Sequence, residues 1–237
     1  MKIDFSIVIP SFNEGKNIVN LFKEINLYLK GNYEIIFVDD GSVDDSDYYF
    51  DRLKLEKNFI LVRNPLNLGQ SRSLLNGIKN SRSDTIVTLD GDCQNDPKDI
   101  NKLLEIYYKD DMHLIGGIRE KRKDSIVKKL SSIIANKVRA FVLKDNCPDT
   151  GCGLKIFSKK IFMFLPFFDG IHRFLPALFL GLGYKTSFVL VNHRIRKYGK
   201  SNYGVFKRLF KGIGDIYRVR KIIKNFKKND KLYKQFK

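Results

Sequence analysis

The densest chemistry in the chain lies between Thr85 and Pro97, Thr-Ile-Val-Thr-Leu-Asp-Gly-Asp-Cys-Gln-Asn-Asp-Pro. An apolar β-type run, Thr85 to Leu89, ends abruptly in Asp90, Gly91 and Asp92, with Gln94 and Asp96 close behind. Two carboxylates delivered at a strand end, around a glycine that lets backbone approach closely, suit a hard divalent cation carrying phosphate oxygens. An isolated Asp-Gly-Asp reads more readily as a turn, because Asp and Gly dominate turns. Company changes that balance. Asp39-Asp40-Gly41-Ser42 follows another apolar run, Glu34 to Val38. In open α/β sheets ligands bind beyond the carboxyl ends of the strands, where the two clusters would meet as one metal-diphosphate site.

The elements that must hold these residues alternate. Phe5 to Ile9 reads as a buried strand broken by Pro10-Ser-Phe-Asn-Glu-Gly, and Ile18, Leu21, Phe22, Ile25 and Leu29 recur at helical spacing before a stop at Gly31. Ile35 to Val38 is the next strand, Asp44 to Leu55 a short polar helix and Phe59 to Arg63 a third strand. Asn67-Leu-Gly69 precedes a helix from Gln70 to Asn80. After the Thr85 strand, Asp96 is placed to cap a helix with Pro97 at its first position and Ile100, Leu103, Leu104 and Tyr107 as its buried stripe. Leu114 to Ile118 is a strand, followed by Arg119-Glu-Lys-Arg122-Lys and a helix whose apolar face includes Ile126, Leu130, Ile133, Val138 and Phe141. Asp149-Thr-Gly-Cys-Gly leads into a strand, Leu154 to Ser158, returning toward the site; residues 161 to 184 read as two short amphipathic helices and Tyr184 to Val191 as a last strand. Such alternation implies an α/β fold, a mostly parallel sheet with helices on both faces.

The chain has 237 residues and is 43% hydrophobic with 19 Phe, enough for a full core. No apolar run is long enough to span a bilayer, and the amino terminus shows no apolar leader before Asp4, so a cytoplasmic protein is expected. Cys93, Cys147 and Cys152 are expected as reduced thiols without a zinc-site pattern. Of the net charge of +18, +14 lies from Arg194 onward, where 16 Lys or Arg face only Asp215 and Asp230. A nearly neutral body with a basic tail points to an anionic partner, membrane or nucleic acid.

With these residues in place, the chain resembles the family 2 glycosyltransferases of the GT-A fold, and among them the dolichyl- or polyprenyl-phosphate sugar synthases. The resemblance covers residues 5 to about 204 and rests on five motifs in order. They are Val-Ile-Pro-Ser-Phe-Asn-Glu, Phe-Val-Asp-Asp-Gly-Ser, Asn67-Leu-Gly69 through Asn76-Gly77, Asp90-Gly-Asp92-Cys-Gln94, and Arg196-Lys-Tyr-Gly-Lys-Ser-Asn-Tyr203. It implies a GT-A (Rossmann-like) domain over residues 1–204; beyond it, helical spacing and charge mark 205–237 as a basic amphipathic helix and tail, where the chain departs from the many members of this branch that continue into transmembrane helices. It also implies that Pro10, Phe12, Glu14, Asp39 and Asp40 form the pocket for the nucleotide's base and ribose. Asp90, with Gly91 beside it, contacts the nucleotide, while Asp92 and Gln94 go to the metal. Carboxylate oxygens, Asp90's among them, and an amide carbonyl are what Mg²⁺ or Mn²⁺ prefers.

The implied activity is inverting transfer of a sugar from a UDP- or GDP-sugar, with Asp92 and Arg119 in the catalytic machinery. A sugar-hydroxyl acceptor would require a general base, for which Asp149 is the candidate. A polyprenyl phosphate would not, since a phosphomonoester with a second pKa of about 6 is already mostly dianionic at neutral pH. Arg119 and Arg122 are then the candidates to hold the acceptor phosphate, and Arg196 and Lys200 the donor's. His172-Arg173 reads either as an acceptor contact or as structure. The apolar stretch 161 to 184 is core or the seat of a lipid chain. Past Tyr203, Phe206, Leu209, Phe210, Ile213, Ile216, Ile223 and Phe226 keep helical spacing with Lys and Arg on other faces. That pattern fits a helix in an anionic membrane interface, or one packed on the body with a basic solvent side, and the Lys-rich end beyond Lys224 is expected to be disordered. A peripheral enzyme on the cytoplasmic face of a membrane follows. The rivals are a transferase using a saccharide or lipopolysaccharide acceptor and a basic nucleic-acid-binding module. The latter lacks interleaved aromatic and basic residues on an exposed sheet, so no nucleic-acid partner is expected.

Overall fold

A computed structural model describes residues 2–120, 139–196 and 205–228. Seven strands form one sheet: β1 (Phe5–Ser11), β2 (Tyr33–Asp39), β3 (Phe59–Arg63), β4 (Thr85–Thr88), β5 (Leu114–Arg119), β6 (Lys155–Ser158) and β7 (Thr186–Val191). Their order is β3-β2-β1-β4-β6-β5-β7. All pairings are parallel except those of β6, which runs antiparallel between β4 and β5. Helices α1 (Gly15–Tyr28), α2 (Ser46–Asp51), α3 (Gln70–Asn80) and α4 (Asp99–Lys109) fill the connections among β1 to β5. After β6 come α5 (Lys159–Phe164), a 3-10 turn at Ile171–Arg173 and α6 (Leu175–Gly181), and α7 (Val205–Lys228) ends the described chain.

Two cores, one on each face of the sheet, explain the near-continuous apolar strands. Ile7, Ile9, Ile35 and Phe37 meet α1 and α4 through Ile18, Leu21, Ile25, Ile100 and Leu103 on one face. Val8, Ile36, Val38 and Ile86 meet α3 and the Phe-rich segment on the other. Strands buried on both sides lose the polar alternation of a one-sided sheet. Gly77 sets the height of α3, since a Cβ there would sit 2.4 Å from Val8 Cγ1.

Several sequence expectations shift. Pro10 does not end β1, which pairs with β2 through Ser11↔Asp39, so the strand carries the Pro-Ser-Phe turn further toward the site. The polar helix shrinks to Ser46–Asp51, continued by turns to Leu55. Residues 161 to 184 belong largely to the second core: Ile161, Phe162, Leu165, Phe168, Phe174, Leu178 and Phe179 are buried. Phe141, expected on a buried helix face, is 85% exposed. The rest of that face, Ile126 to Val138, lies outside the described residues. The last helix runs to Lys228, past the expected end at Lys224. Its second half packs on the body: Val219 is fully buried, Ile216, Ile222, Ile223 and Phe226 join the second core, and Asp215 pairs with Arg173 at 3.3 Å.

Candidate active site

The parallel pairing of β4 with β1 brings Asp90 and Gly91 beside Pro10 and Ser11 at the carboxyl edge of the sheet. A Cβ on Gly91 would lie 3.0 Å from the Pro10 carbonyl oxygen, so glycine permits this close approach. The chain then turns sharply through Cys93, whose φ of 59° is left-handed, a conformation rare for a residue with a side chain and concentrated at functional sites. The turn lets the Gln94 amide donate to Asp92 Oδ1 at 3.1 Å. Gln94 Nε2 donates to the Arg194 carbonyl at 3.3 Å, and Arg194 N returns a bond to the Gln94 carbonyl at 2.8 Å. Among the described residues nothing donates to Gln94 Oε1. The Cys93 thiol is pushed up to about 12 by burial and then by the Glu24, Asp92 and Glu14 carboxylates. It is an inert packing group, as Cys147 and Cys152 are, both buried and free.

Asp90 accepts a hydrogen bond from Gln70 Nε2 at 2.8 Å, and its carboxylate lies flat against Gly153. Burial, then the charge of Asp92, pushes its carboxyl up to about 6, although Lys155, Arg119 and Gln70 pull the other way. Two carboxylates crowded until one resists ionisation make a place for a cation. Asp90, Asp92 and the Gln94 amide supply hard oxygen donors that fit Mg²⁺ or Mn²⁺. No cluster of three or more His, Cys, Asp or Glu suited to a metal occurs among the described residues. Such a cation would therefore draw its remaining ligands from water and phosphate, as Mg²⁺ does at nucleotide sites.

The residues expected from the sequence on the nucleotide side differ in how committed they are to other contacts. Asp40 is spent on structure: Oδ1 accepts from Asn64 Nδ2 (2.7 Å) and Leu68 N (3.0 Å), and Oδ2 from Gly69 N (2.9 Å). It thereby fixes the loop that presents Gln70. Asp39 accepts from Ser42 N at 3.0 Å and Arg63 Nη1 at 3.2 Å. Pro10, Phe12 and Glu14 are half-buried along the same edge. Asn13, also left-handed at φ 55°, stitches this turn to the next: its N–H donates to Ser42 Oγ and its Oδ1 accepts from Val43 N. Burial raises the Glu14 carboxyl, and Arg196 and Asn17 oppose that. Arg196 bonds Glu14 Oε1, and its other nitrogen lies 3.7 Å from Asp92 Oδ2.

Across Asp90 from the nucleotide edge, β5 ends in Arg119. Its Nε donates to Asp149 Oδ2 at 2.7 Å, its Nη2 to Oδ1 at 2.8 Å, and its backbone N–H to Oδ2 at 3.2 Å. Both partners are largely buried, and Asp149 more than offsets the burial that would weaken the guanidinium's hold on its proton. Gly151 leaves room for it, since a Cβ there would come within 2.8 Å of Arg119 Nη2. His172 Nδ1 lies 2.7 Å from Ser71 Oγ on α3, which ties the 3-10 turn to the loop carrying Gln70. Arg122 and Lys200 fall outside the described residues.

Four contributors escaped the sequence analysis. Gln70 opens α3, and only the fold shows its reach to Asp90. Gly153 could be suspected only as one glycine of Asp-Thr-Gly-Cys-Gly. Ser11 carries a buried hydroxyl with no hydrogen-bond partner among the described residues, beside Gly91. Lys155 had a signal, a lone lysine opening the run Lys-Ile-Phe-Ser. It is buried, donates to the Cys152 carbonyl and places its charge near Asp90.

Comparison with known proteins finds relatives in sequence and neighbours in fold. Residues 6–165 match the profile described as "Glycosyl transferase family 2". A dodecaprenyl-phosphate galacturonate synthase of Rhizobium johnstonii is 31% identical over 92% of this chain and 66% of its own length. An undecaprenyl-phosphate 4-deoxy-4-formamido-L-arabinose transferase of Sodalis glossinidius is 32% identical over 87% and 65%. The chain thus spans just under two thirds of the length of these relatives. Among solved structures, glucosyl-3-phosphoglycerate synthase from Mycobacterium tuberculosis, crystallised with Mn²⁺, UDP-glucose and phosphoglyceric acid, superposes with a TM-score of 0.71 at 17% identity. That superposition covers 93% of this chain and 80% of that one. The same enzyme with Mg²⁺ and UDP gives 0.70 at 17%, over 90% and 79%.

Proposed function

Because the chain belongs to glycosyl transferase family 2 and has a GT-A-like fold, we propose that it transfers a sugar from a UDP- or GDP-sugar to a polyprenyl phosphate, with inversion and a divalent metal. Residues 1–204 form the catalytic domain in this scheme, and 205–237 an accessory basic helix and tail. Pro10, Phe12, Glu14 and Asp39 line the nucleotide side, with Asp40 holding the pocket's shape. Asp92, Gln94 and Asp90 would hold Mg²⁺ or Mn²⁺, which when bound supplies charge neutralisation to the leaving diphosphate. Arg196, hinged on Glu14 and near Asp92, is placed to bind the same diphosphate once the donor enters.

The observation that carries the choice of acceptor is the Arg119–Asp149 fork. A carboxylate engaged at both oxygens by one guanidinium is a poor general base, since its lone pairs are committed to charge-assisted bonds. Arg119 keeps the rest of its five N–H donors for an anion. A phosphate acceptor fits both facts, being anionic and needing no base. The two relatives described above carry names that specify polyprenyl-phosphate products or acceptors. Because such an acceptor's hydrocarbon lies in a bilayer, the enzyme would work at a membrane surface. Among the described residues no helix is long and apolar enough to cross one.

The test is transfer from a panel of radiolabelled UDP- and GDP-sugars to polyprenyl phosphate in micelles, with Mg²⁺ or Mn²⁺, scored by organic extraction. Extracted label that disappears in Asp92→Ala supports the assignment. Donor binding with no extracted label would overturn it and favour a saccharide acceptor.

A further inference from the structure

We propose that a cleft between residues 142–143 and the last turns of α7 is a docking site for the phosphate headgroup of an anionic phospholipid, separate from the catalytic pocket. The inference rests on the reading that the acceptor is a membrane lipid, because only then must the enzyme be held against a bilayer. The cleft has a volume of about 330 Å³ and is lined by Val142, Leu143 and Ile223, with Arg220, Lys224, Lys227 and Lys228 around them.

Its chemistry is specific. Arg220, Lys224 and Lys227 stand at i, i+4 and i+7 and share one face of the helix, with Ile223 between them. No acidic residue occurs between Ile216 and Lys228. Among the described residues, no carboxylate lies within ion-pair distance of these four cations. The helix dipole accounts for cations in a last turn, such as Lys227 and Lys228. It does not account for Arg220 and Lys224 further back, and four exposed cations converging around an apolar floor attract an anionic group that carries hydrocarbon more than scattered surface charges would. An anionic headgroup satisfies the rim while its glycerol and first methylenes meet Val142, Leu143 and Ile223. Phe141, next to this lining and 85% exposed, is an apolar ring poised to enter the interface once the cleft is seated. The helix gives distance as well as charge. Arg220 and Lys228, which bound the cleft on the helix, are five and thirteen residues past Asp215, whose partner Arg173 belongs to the site's 3-10 turn. At 1.5 Å per residue the cleft lies roughly 8 to 20 Å from the turn along the axis, so both can face one membrane without sharing a ligand.

The experiment measures binding of the full chain, without donor, to vesicles of phosphatidylcholine alone and of phosphatidylcholine with phosphatidylglycerol. The test protein is R220Q/K224Q/K227Q; the charge-matched control is K23Q/K30Q/K57Q, three exposed lysines elsewhere. The test protein should lose affinity for anionic vesicles on the order of 100-fold, and the control a few-fold at most. Phe141→Ser should also weaken binding while leaving the salt dependence unchanged. Equal losses in test and control would overturn the proposal, since diffuse charge would then suffice. Transfer to a short-chain, water-soluble prenyl phosphate separates the two assignments. Unchanged turnover in the test protein supports a docking site, whereas a parallel loss would show that the cleft holds the acceptor itself. Vesicle binding is read without catalysis, so failure of the transfer assay leaves this result interpretable.

Discussion

Gly153→Ala is the sharpest probe of how the site is built, because the structure places the added methyl against the functional group itself. A Cβ at 153 would lie 2.2 Å from Asp90 Oδ2, 2.3 Å from Cγ and 2.6 Å from Oδ1. An ordinary carbon–oxygen contact is about 3.4 Å, so the carboxylate must retreat by about 1 Å. Asp90 is short and tied to Gln70, and moving it breaks that bond. Overpacking of this kind costs about 1–3 kcal/mol, a fall in Tm of roughly 2–12 °C for a chain of this size. Metal coordination tolerates only about 0.2 Å, so the functional loss should far exceed the structural one. Turnover should fall about 100-fold or more, and Mn²⁺ affinity, followed by calorimetry, should fall with it. The diagnostic step is the double variant. Asp90→Ala deletes all three clashing atoms, so adding Gly153→Ala to it should cost almost nothing in Tm. An alanine at 153 that leaves turnover and Mn²⁺ affinity intact would refute the placement of Asp90 against this loop. An additive double variant would refute the steric mechanism.

Asp92→Ala should abolish transfer while shifting Tm little, and turnover retained with added Mn²⁺ would remove Asp92 from the metal site. Asp149→Asn leaves the buried Arg119 charge half-partnered at about 3–5 kcal/mol. It should raise the KM for polyprenyl phosphate at least tenfold without reshaping the pH profile, whereas a kcat loss with a vanished acidic limb would restore Asp149 as base. The Asp90 carboxyl, raised from an ordinary 3.8 to about 6 in the metal-free fold, contributes stability that is present below 3.8 and lost as pH rises through 6, on the order of 3 kcal/mol. A divalent cation binds the ionised form and offsets that loss, so the Tm gain from Mn²⁺ should grow between pH 5 and 7, and a flat gain would contradict it. Val219→Ala, at a fully buried position of α7, should destabilise the whole protein by about 1.5–3 kcal/mol, and an unchanged Tm would mean that the helix does not pack on the body.

What the sequence revealed and what it hid divide along a physical line. Periodicity reports burial, and burial here is two-sided, so the strands and α1, α3 and α4 were legible from runs such as Ile35 to Val38 and stripes such as Ile18 to Leu29. Acidic strand ends were legible for the same reason: a carboxylate directly after an apolar run contradicts its neighbours and asks for a partner. The partners themselves were not legible, because they arrive from 20 to 65 residues away in the chain. Gln70 reaches Asp90 because Asp40 fixes the loop before α3; Gly153 and Lys155 reach it because β6 inserts antiparallel between β4 and β5. That insertion is the step no local pattern encodes, since the run Leu154 to Ser158 would suit either direction. It nevertheless decides the chemistry. Only with β6 beside β4 does the Asp149–Gly153 loop fold over Asp90, bringing the Arg119–Asp149 fork to the same edge as the proposed metal ligands. In the proposed scheme the choice between a sugar hydroxyl and a phosphate as acceptor therefore turns on sheet topology more than on which acidic residues the chain contains: Asp149 reads as a base in the sequence and is paired with Arg119 in the fold.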